Sequence, residues 1–402
     1  MTQSQQPTER LYYTDASLRE FTAAVVEISA DGRTVYLDRS AFYPASGGQP
    51  ADKGMLAGIV VEDVRDEEHR VAHVLREPFV ATGESGGIGA TVHGEIDWER
   101  RRDHMQQHTG QHLLSAVIEA LFGLKTVSVH FGADLSTVEL AGAEFTAEQA
   151  RQAEERCFDL IREGRPVTIS FEDAASVEGL RKASERTGAL RIVSIEGIDR
   201  SACGGTHVSS LAEVGLILIR RRERIRGNTR VEFVAGRRAL ARAQRDYEIA
   251  AELSRTATVA VDDLPQQIGA WRARLADAEK ERDRLRMEIA RRDGQALYRQ
   301  SAPDANGIRR AWLEVAAVSE ETRVVLQAFV EGGRAIAAGV ATGAVPAIVV
   351  AASADAGIHA GNVLKQAFAN GGGKGGGSAA LAQGAASDPR AAAALRGLLG
   401  FE

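Results

Sequence analysis

Two short elements, far apart in the chain, carry side chains that a zinc ion takes as ligands. The first is His108-Thr109-Gly110-Gln111-His112 and the second is Cys203-Gly204-Gly205-Thr206-His207. Three imidazoles and one thiolate suit zinc in tetrahedral geometry. The sequence therefore predicts a Zn²⁺ site whose ligands are His108, His112, Cys203 and His207.

The two elements should present their ligands in different ways. His108 and His112 stand four positions apart in a stretch of helix formers, which predicts a helix with both imidazoles on one face. Gly204 and Gly205 interrupt the second element, so we expect a tight turn that runs into the start of a helix. No glutamate separates the two histidines, so the HExxH pattern of metalloproteases is absent.

Each element alone has an ordinary alternative explanation. A histidine pair on a helix is more often a solvated surface feature than a ligand pair. Cys157, the only other cysteine, stands in a helical context that is typical of an inert, packed thiol. The two elements together, with glycines that let the backbone fold tightly around Cys203, favour the metal site.

Two further motifs turn this pattern into a resemblance. Residues 42–54, Phe-Tyr-Pro-Ala-Ser-Gly-Gly-Gln-Pro-Ala-Asp-Lys-Gly, precede the histidines, and an arginine-rich strand pair over residues 220–236 follows Cys203. In this order the four motifs resemble the editing domain of alanyl-tRNA synthetases and of the freestanding AlaX trans-editing proteins. The resemblance covers most of residues 8–240.

The C-terminal part indicates the long form of AlaX. Residues 371–384 are rich in glycine and resemble the signature of the C-terminal domain that alanyl-tRNA synthetases share with DHH-type phosphoesterases. Only about 40 residues precede the first glycine motif, whereas a domain needs roughly 100 or more. We therefore expect no aminoacylation domain and no synthesis of aminoacyl-tRNA.

The glycine run itself allows two interpretations. Lys374 is followed by Gly375, so the run lacks the Gly-Lys-Ser/Thr ending of a P-loop. A phosphate cradle around Lys374, with a helix beginning near Ser378, is one expectation, and a flexible linker is the other. The family carries a charged stretch after the glycines, and Ser378-Ala379-Ala380 departs from it.

The resemblance implies an editing hydrolase with Zn²⁺ as cofactor. Its substrate would be mischarged tRNA(Ala), chiefly carrying serine and also glycine, whose aminoacyl ester it hydrolyses. Such an activity is needed because a pocket shaped for alanine rejects an added hydroxyl only about a hundredfold. With four protein ligands the zinc would be closed and would anchor the pocket or the substrate, whereas with three it could activate water. The sequence leaves both open.

Several polar residues beside the ligands are candidates for the catalytic pocket. Gln111 is the first choice for recognising the serine hydroxyl, and Thr109 and Gln49 are second choices. Asp199 and Arg200 would orient a ligand imidazole or bind the terminal adenosine. The resemblance places Arg230 beside the pocket.

Charge is distributed unevenly along the chain. The formal net charge is −6, yet residues 220–238 hold eight arginines against two glutamates. They alternate with apolar residues, as a strand pair that turns at Gly227-Asn228 would. The predicted tRNA-binding residues are Arg220, Arg221, Arg222, Arg224 and, in the glycine run, Lys374. The alternative is a solvated basic hairpin.

The fold class that we predict is a multidomain α+β protein. Its parts are an N-terminal β-barrel (1–92), a zinc-containing editing domain (93–240), a helical hairpin or coiled-coil linker (241–302) and a C-terminal glycine-rich α/β domain (303–402) that binds tRNA. In the linker we favour a hairpin over a dimer zipper, and a homodimer through the C-terminal region stays open.

No membrane association is expected. Residues 335–354 are uncharged, but glycines and a proline divide them into two short buried strands. Two cysteines and the lack of an apolar N-terminal segment favour the cytoplasm.

Two other functions compete with editing. One is a non-catalytic, zinc-stabilised tRNA-binding protein. The other is a zinc hydrolase of small esters or phosphodiesters, although the aspartate-rich DHH metal motif is absent.

Overall fold

The chain divides into two compact units, Met1–Glu252 and Leu253–Glu402. The computed structural model describes residues 6–80, 87–142, 144–343 and 346–401. Both units mix helices with sheets, which confirms the predicted multidomain α+β class. The finer division into four domains stays a prediction.

The first unit contains a closed sheet near its N-terminus. Its strands are β2 (Glu20–Ile28), β3 (Thr34–Leu37), β5 (Gly54–Leu56), β6 (Ile59–Glu67), β7 (Arg70–Leu75) and β8 (Thr91–Ile96), and β1 (Glu9–Arg10) pairs beside them with β4 (Arg39–Ser40). They pair in the order β2-β3-β7-β6-β5-β8, and β8 pairs back to β2. Apolar side chains such as Val35 and Leu56 alternate inward and form one core.

Two more sheets complete the β structure of this unit. Their strands are β9 (Thr126–Phe131), β10 (Ser136–Leu140), β11 (Val167–Asp173), β12 (Ala189–Ile195), β13 (Asp199–Ala202), β14 (Ile217–Ile225) and β15 (Asn228–Ala235). The strand orders are β14-β15-β10-β9 and β11-β12-β13. The predicted strands around Val127–Val129 and Ile192–Ile195 are thus confirmed.

The helices of this unit start and stop where the sequence provides caps. They are α1 (Trp98–Phe122), α2 (Ala147–Glu163) and α3 (Gly236–Ala257), of which the last runs across the boundary of the unit. Asp97 accepts a hydrogen bond from the N–H of Arg100 at the start of α1, and Gly123 ends it in the left-handed conformation with φ of 69°. Cys157 is fully buried in α2, where burial raises the pKa of its thiol, as expected of a packed and inert cysteine.

Buried polar contacts fix α1 against the sheets. Arg101 and Asp52 are both fully buried, and the guanidinium also donates to the carbonyl of Ala16 at 2.8 Å. On the other side, Gln107 exchanges two hydrogen bonds with the backbone of Ala235 on β15, at 2.8 and 2.9 Å. Breaking a buried, paired charge costs about 3–5 kcal/mol, so the helix is held firmly in place.

Two local expectations in this unit were wrong. The arginine-rich strand pair turns at Arg226-Gly227 rather than at Gly227-Asn228, because those two residues take the positive φ of a two-residue hairpin turn, 47° and 90°. The turn at Cys203 does not run directly into an α-helix. The segment after Cys203 runs instead into a short 3₁₀ helix, Leu211–Val214.

The second unit is a five-stranded sheet with helices on both faces. Its elements are α4 (Leu264–Gln300), β16 (Arg309–Val315), α5 (Glu320–Val330), β17 (Ala335–Ala341), β18 (Ala347–Ala352), α6 (Ala360–Gly371), β19 (Gly373–Gly377), β20 (Leu381–Ala386) and α7 (Arg390–Leu398). The strand order is β16-β17-β18-β20-β19. Phe329 of α5 belongs to the core on one face, whereas Leu364 of α6 and Leu395 of α7 belong to the core on the other.

The glycine run differs from its prediction. Gly373–Gly377 forms the edge strand β19, and Ser378 leads through a turn into β20 instead of starting a helix. A Cβ on Gly375 would stand 2.6 Å from the carbonyl oxygen of Gln383, and one on Gly377 would stand 2.3 Å from that of Leu381. The glycines therefore allow two strands to lie close together, and no helix N-terminus forms a cradle here.

The uncharged stretch 335–354 forms β17 and β18, as predicted, and residues 344 and 345 of their connection lie outside the described residues. None of the helices in the described part of the chain combines the length and the apolar character that crossing a membrane requires.

Candidate metal centre

Four side chains converge in the first unit to form a cluster that could hold a metal ion. They are His108 and His112 on α1, and Cys203 and His207 on the segment that follows β13. One ligand atom from each lies within 4.8 Å of the others. The predicted helix and the predicted turn therefore bring the two elements together.

The spacing of the donor atoms fits a tetrahedral ion. Sγ of Cys203 lies 3.3 Å from Nε2 of His108 and 3.3 Å from Nε2 of His207. Metal bonds of 2.0–2.3 Å at tetrahedral angles place two ligand atoms about 3.5 Å apart. The three histidines are buried and Cys203 is partly exposed. Because the donor atoms already lie close to these distances, little rearrangement is needed for the four atoms to enclose one ion.

Each imidazole is oriented through its other nitrogen. Nδ1 of His108 lies 2.8 Å from Oε1 of Gln49, and Nδ1 of His112 lies 2.7 Å from Oδ2 of Asp199. Nδ1 of His207 lies 3.1 Å from the hydroxyl of Thr109. These three contacts leave the Nε2 atoms facing the thiol, which is the arrangement that metal-binding histidines use.

The charges around the cluster support a thiolate. Burial opposes ionisation of Cys203, but the imidazoles of His108 and His207 outweigh it and hold the pKa of the thiol well below its ordinary value. Burial would also lower the pKa of His112, yet the hydrogen bonds to Asp199 and Cys203 raise it to about 9. The cluster thus favours ionised sulfur before any metal binds.

Arginines hold the supporting groups in position. Nε of Arg181 donates to Asp199 at 2.6 Å, so the carboxylate that orients His112 is itself fixed. The guanidinium of Arg191, nearly fully buried, donates to the backbone carbonyl of Cys203 at 2.6 Å. Neither arginine was predicted from the sequence, because both stand outside the recognised motifs in segments without a distinctive pattern.

A pocket of about 360 Å³ opens beside the cluster. His112 and Cys203 line one part of it, and Gln111, Thr126 and Ser128 line another. Lys182 stands at the exposed edge, on the irregular segment between β11 and β12. The pocket therefore combines the metal cluster with hydroxyl and amide groups.

Gln111 is the predicted pocket residue that lines this cavity. Its Nε2 donates to Ser115 at 2.8 Å, and Thr126 donates to the same hydroxyl at 2.8 Å. Gln49 and Thr109 are buried against the ligand imidazoles and are not among the residues that line the pocket. Asp199 orients His112, which is one of the two roles expected of it.

The other predicted residues lie elsewhere. Arg200 forms an ion pair with Glu172. Arg230 pairs in register with Glu139 on the β10–β15 ladder and does not line the pocket. Lys374 is on the edge strand of the second unit.

The four hairpin arginines do not share one environment. Arg220 forms an ion pair with Asp246 at 2.7 Å, and Arg221 lies 3.5 Å from Glu223. Arg222 and Arg224 instead donate to the backbone carbonyls of Phe145 and Gly142, at 3.1 and 3.2 Å.

Known proteins share this pattern of sequence. Residues 190–232 match the family model described as the threonyl and alanyl tRNA synthetase second additional domain. The chain is 34% identical over 312 residues to the alanyl-tRNA editing protein AlaX-L of Pyrococcus horikoshii, and the match covers 74% of this chain and 75% of that protein. The chain belongs to the alanyl-tRNA editing protein family.

Other relatives match over different shares of their length. The alanyl-tRNA editing protein Aarsd1 of Mus musculus is 36% identical over 254 residues, and the match spans 58% of this chain but only 60% of Aarsd1. The alanine–tRNA ligase of Methanoregula boonei is 32% identical over 394 residues, which are 94% of this chain and 41% of the ligase.

One solved structure is also similar. The C-Ala domain of Aquifex aeolicus alanyl-tRNA synthetase matches 25% of this chain and 96% of its own length, at 21% identity and a TM-score of 0.22. No conclusion about the fold rests on a score this low.

Proposed function

We propose that this protein is a trans-editing hydrolase that acts in the cytoplasm and removes serine, and also glycine, from mischarged tRNA(Ala). The observation that carries the proposal is the pocket in which Cys203 and His112 of the cluster meet Gln111, Thr126 and Ser128. An aminoacyl ester placed there would have its ester bond near the cluster and its side chain near the polar wall. The names of the relatives support the same activity.

We take the metal to be zinc, because three imidazoles and one thiolate are its preferred donors. Zinc bound by all four side chains would be closed, and it would supply positive charge beside the pocket and hold the pocket wall in place. Gln49, Thr109 and Asp199 would hold the three imidazoles in the tautomer and orientation that binding requires. These residues therefore position ligands rather than touch the substrate.

Selectivity for serine would come from Gln111. The hydrogen bond to Ser115 fixes its amide, and no hydrogen bond among the described residues occupies the amide oxygen. That oxygen could accept the hydroxyl of a seryl group. Alanine lacks the hydroxyl and would leave a buried acceptor unpaired, which disfavours its binding by roughly 1–3 kcal/mol.

Hydrolysis would use a water molecule held in the pocket, since an aminoacyl ester is already activated. A serine nucleophile is not supported by Ser40 and His73, whose side chains are hydrogen-bonded at 2.7 Å. Both residues are fully buried in the closed sheet, so a substrate cannot reach them. The closed sheet would support Gln49 against His108.

The test is deacylation of serine, glycine and alanine from one alanine-accepting tRNA. We expect the wild type to release serine fastest and to spare alanine. Gln111→Ala should lower the rate with serine about 10-fold or more and leave the rate with alanine unchanged, because only serine uses the amide. Gln152→Ala, on the exposed face of α2, is the control of the same residue type.

Three outcomes would contradict the proposal. Equal rates on all three substrates would refute the selectivity. Ester loss equal to that without protein, while tRNA still binds, would favour a non-catalytic tRNA-binding protein. Activity on free esters that does not depend on tRNA would instead favour a small-molecule hydrolase.

Two further predictions remain. One is that Lys374 contacts tRNA, and the other is that the protein forms a homodimer through the C-terminal region.

A further inference from the structure

A groove of about 700 Å³ in the first unit has walls rich in arginine. β14 contributes two of these residues and α3 contributes three, and they are Arg220, Arg221, Arg238, Arg242 and Arg245. The acidic residues along the same walls are Asp134 and Glu232. The groove thus combines part of the predicted basic hairpin with a helix that the sequence analysis did not assign to any ligand.

The arginines of α3 share one face because of their spacing. Arg238, Arg242 and Arg245 stand at positions i, i+4 and i+7, which fall along one stripe of a helix. The groove therefore follows the first two turns of α3, and its opposite wall is the edge strand β14.

Carboxylates outside the groove hold several of these guanidinium groups in place. Asp246 accepts from Arg220 at 2.7 Å and from Arg242 at 3.0 Å, so one side chain fixes an arginine from each wall. Asp103 accepts from Arg238 at 2.6 Å, and the same guanidinium donates to the carbonyl of Gly132 at 2.8 Å. The charges are arranged before a ligand arrives.

These ion pairs leave several N–H donors of each arginine available for further hydrogen bonds. A guanidinium has five N–H donors, and a carboxylate engages one or two of them. Partly exposed ion pairs contribute little to stability, so a phosphate can join them at little cost. Arg221 and Arg245 have side chains that are 62% and 64% exposed, which leaves both accessible to a ligand.

One strand and the connection that follows it contribute residues to the pocket and to the groove, respectively. Val127 and Val129 of β9 line the pocket, and Ala133 and Leu135, in the connection that follows β9, line the groove. Ala133 follows Val129 by four positions, which span at most about 13 Å of chain. A strand of RNA whose 3′ end occupied the pocket would carry its preceding phosphates into this groove.

We propose that this groove binds the phosphate backbone of the RNA strand that delivers the aminoacyl ester to the pocket. The proposal rests on the proposed function, since it takes tRNA as the substrate. Arginine suits the ligand because its planar fork matches phosphate oxygens in pairs. By contrast, the contacts of Arg222 and Arg224 with backbone carbonyls give these two a structural role in the hairpin.

The experiment compares the full-length protein with the Arg242→Glu/Arg245→Glu variant. Binding of uncharged tRNA(Ala) is measured by fluorescence anisotropy over a range of salt concentrations. We expect the variant to bind at least about 10-fold more weakly near 0.1 M salt, and its slope of log K against log salt to be smaller by about 1.5, because two phosphate contacts are lost. The Arg242→Gln/Arg245→Gln variant should show the same direction with a smaller loss.

The matched control is Arg65→Glu/Arg76→Glu, which makes the same change of charge. These two arginines lie by the closed sheet and have side chains that are 63% and 59% exposed. The control should bind tRNA within about twofold of the wild type at the same salt. Circular dichroism and metal content of all variants should equal those of the wild type, which excludes loss of folding as the cause.

The outcomes separate this proposal from the editing activity. Unchanged tRNA affinity in Arg242→Glu/Arg245→Glu, with wild-type deacylation intact, would overturn the groove and leave editing standing. A different result is a wild type that deacylates none of the three substrates while Arg242→Glu/Arg245→Glu still loses tRNA affinity. That result would support binding of RNA in the groove and refute the editing activity. A poly-glutamate peptide that competes as strongly as RNA would assign the groove to an acidic protein segment and overturn the RNA proposal.

Discussion

The three imidazoles of the cluster depend on three different neighbours, and Asp199 is the only charged one. Its carboxylate contacts His112, Arg181 and the hydroxyl of Ser201. Burial opposes the ionised form of Asp199, but the hydrogen bond to His112 and the nearby charges outweigh it and lower the pKa of the carboxyl to about 2. A carboxylate at this position makes His112 a stronger electron donor to a metal.

We therefore expect Asp199→Asn to weaken zinc binding about 10–100-fold, since the amide keeps the shape but loses the charge. Competition with a chromophoric chelator measures the affinity. Glu196→Gln makes the same chemical change at an exposed position on the nearby turn and should bind zinc as the wild type does. Equal affinity in Asp199→Asn and the wild type would contradict this role for the carboxylate.

The sequence predicted the residues of the cluster better than the roles of their neighbours. Residue type and spacing were enough to select the four side chains that the structure brings together, because few combinations of side chains suit zinc. Gln49 and Thr109 were first considered for substrate recognition, whereas the structure places both against imidazole nitrogens. The direction in which these two side chains point depends on how the closed sheet and Cys203–His207 pack on α1. Spacing in the sequence does not contain that information.

At the scale of elements, the turn that carries Cys203 is shaped by one of its two glycines. A Cβ on Gly205 would stand 2.1 Å from Cε1 of His108 and 2.9 Å from Oε1 of Gln49. A Cβ on Gly204 would meet only the hydroxyl of Tyr13, at 3.7 Å. Neither glycine has a positive φ, so the difference between them is one of space alone.

We expect Gly205→Ala to lower both zinc affinity and deacylation of seryl-tRNA, by at least about 10-fold each, because the imidazole of His108 must move away. Gly204→Ala should change either quantity by less than about twofold. Zinc content after dialysis and single-turnover deacylation are the two measurements. The steric explanation fails if the two alanine variants behave alike.

The closed sheet contains a histidine that should make stability depend on pH. His73 is fully buried, its Nε2 lies 2.7 Å from the hydroxyl of Ser40, and burial lowers its pKa to about 4. The ordinary pKa is about 6.5, so the unfolded state takes up the proton first as the pH falls. This stabilisation is fully present above pH 6.5 and is lost as the pH falls towards 4.

The expected loss from His73 between pH 6.5 and 4 is about 3 kcal/mol of unfolding free energy. His73→Gln keeps polar atoms for its neighbours but cannot be protonated, so it should lose less stability over that range. Urea unfolding at pH 7 and pH 4.5 measures the difference, with His69→Gln, exposed in the turn between β6 and β7, as the control. An identical pH dependence in His73→Gln and the wild type would exclude His73 as the cause.

The elements show where prediction from sequence stops. α1 and the strands around Val127 and Ile192 were predictable, because apolar periodicity and caps mark them locally. The glycine strand β19 was not, because glycine has no side chain with which to show a periodicity. The contacts that require glycine there, between Gly375 and Gln383 and between Gly377 and Leu381, form only when β20 folds back on it.

At the scale of the whole molecule, the pattern of strands, helices and turns along the sequence predicted a multidomain α+β protein, but not the number of its compact units. The two units meet in sequence at Glu252 and Leu253, inside α3. No change of composition or cluster of turn residues marks a boundary within a continuous helix. All four ligands of the cluster lie in the first unit.

The position of the ligands predicts how the molecule responds to removal of the metal. When free zinc is present at about 1,000 times its dissociation constant, its binding to the folded first unit stabilises that unit by about 4 kcal/mol. Calorimetry should show two unfolding transitions, one for each unit. A strong chelator should lower the midpoint temperature of the first unit's transition alone, by about 8–16 °C for a unit of this size. Gly205→Ala should show that lower transition without chelator. A chelator that moves both transitions together, or neither, would contradict the assignment of the stabilising metal to the first unit alone.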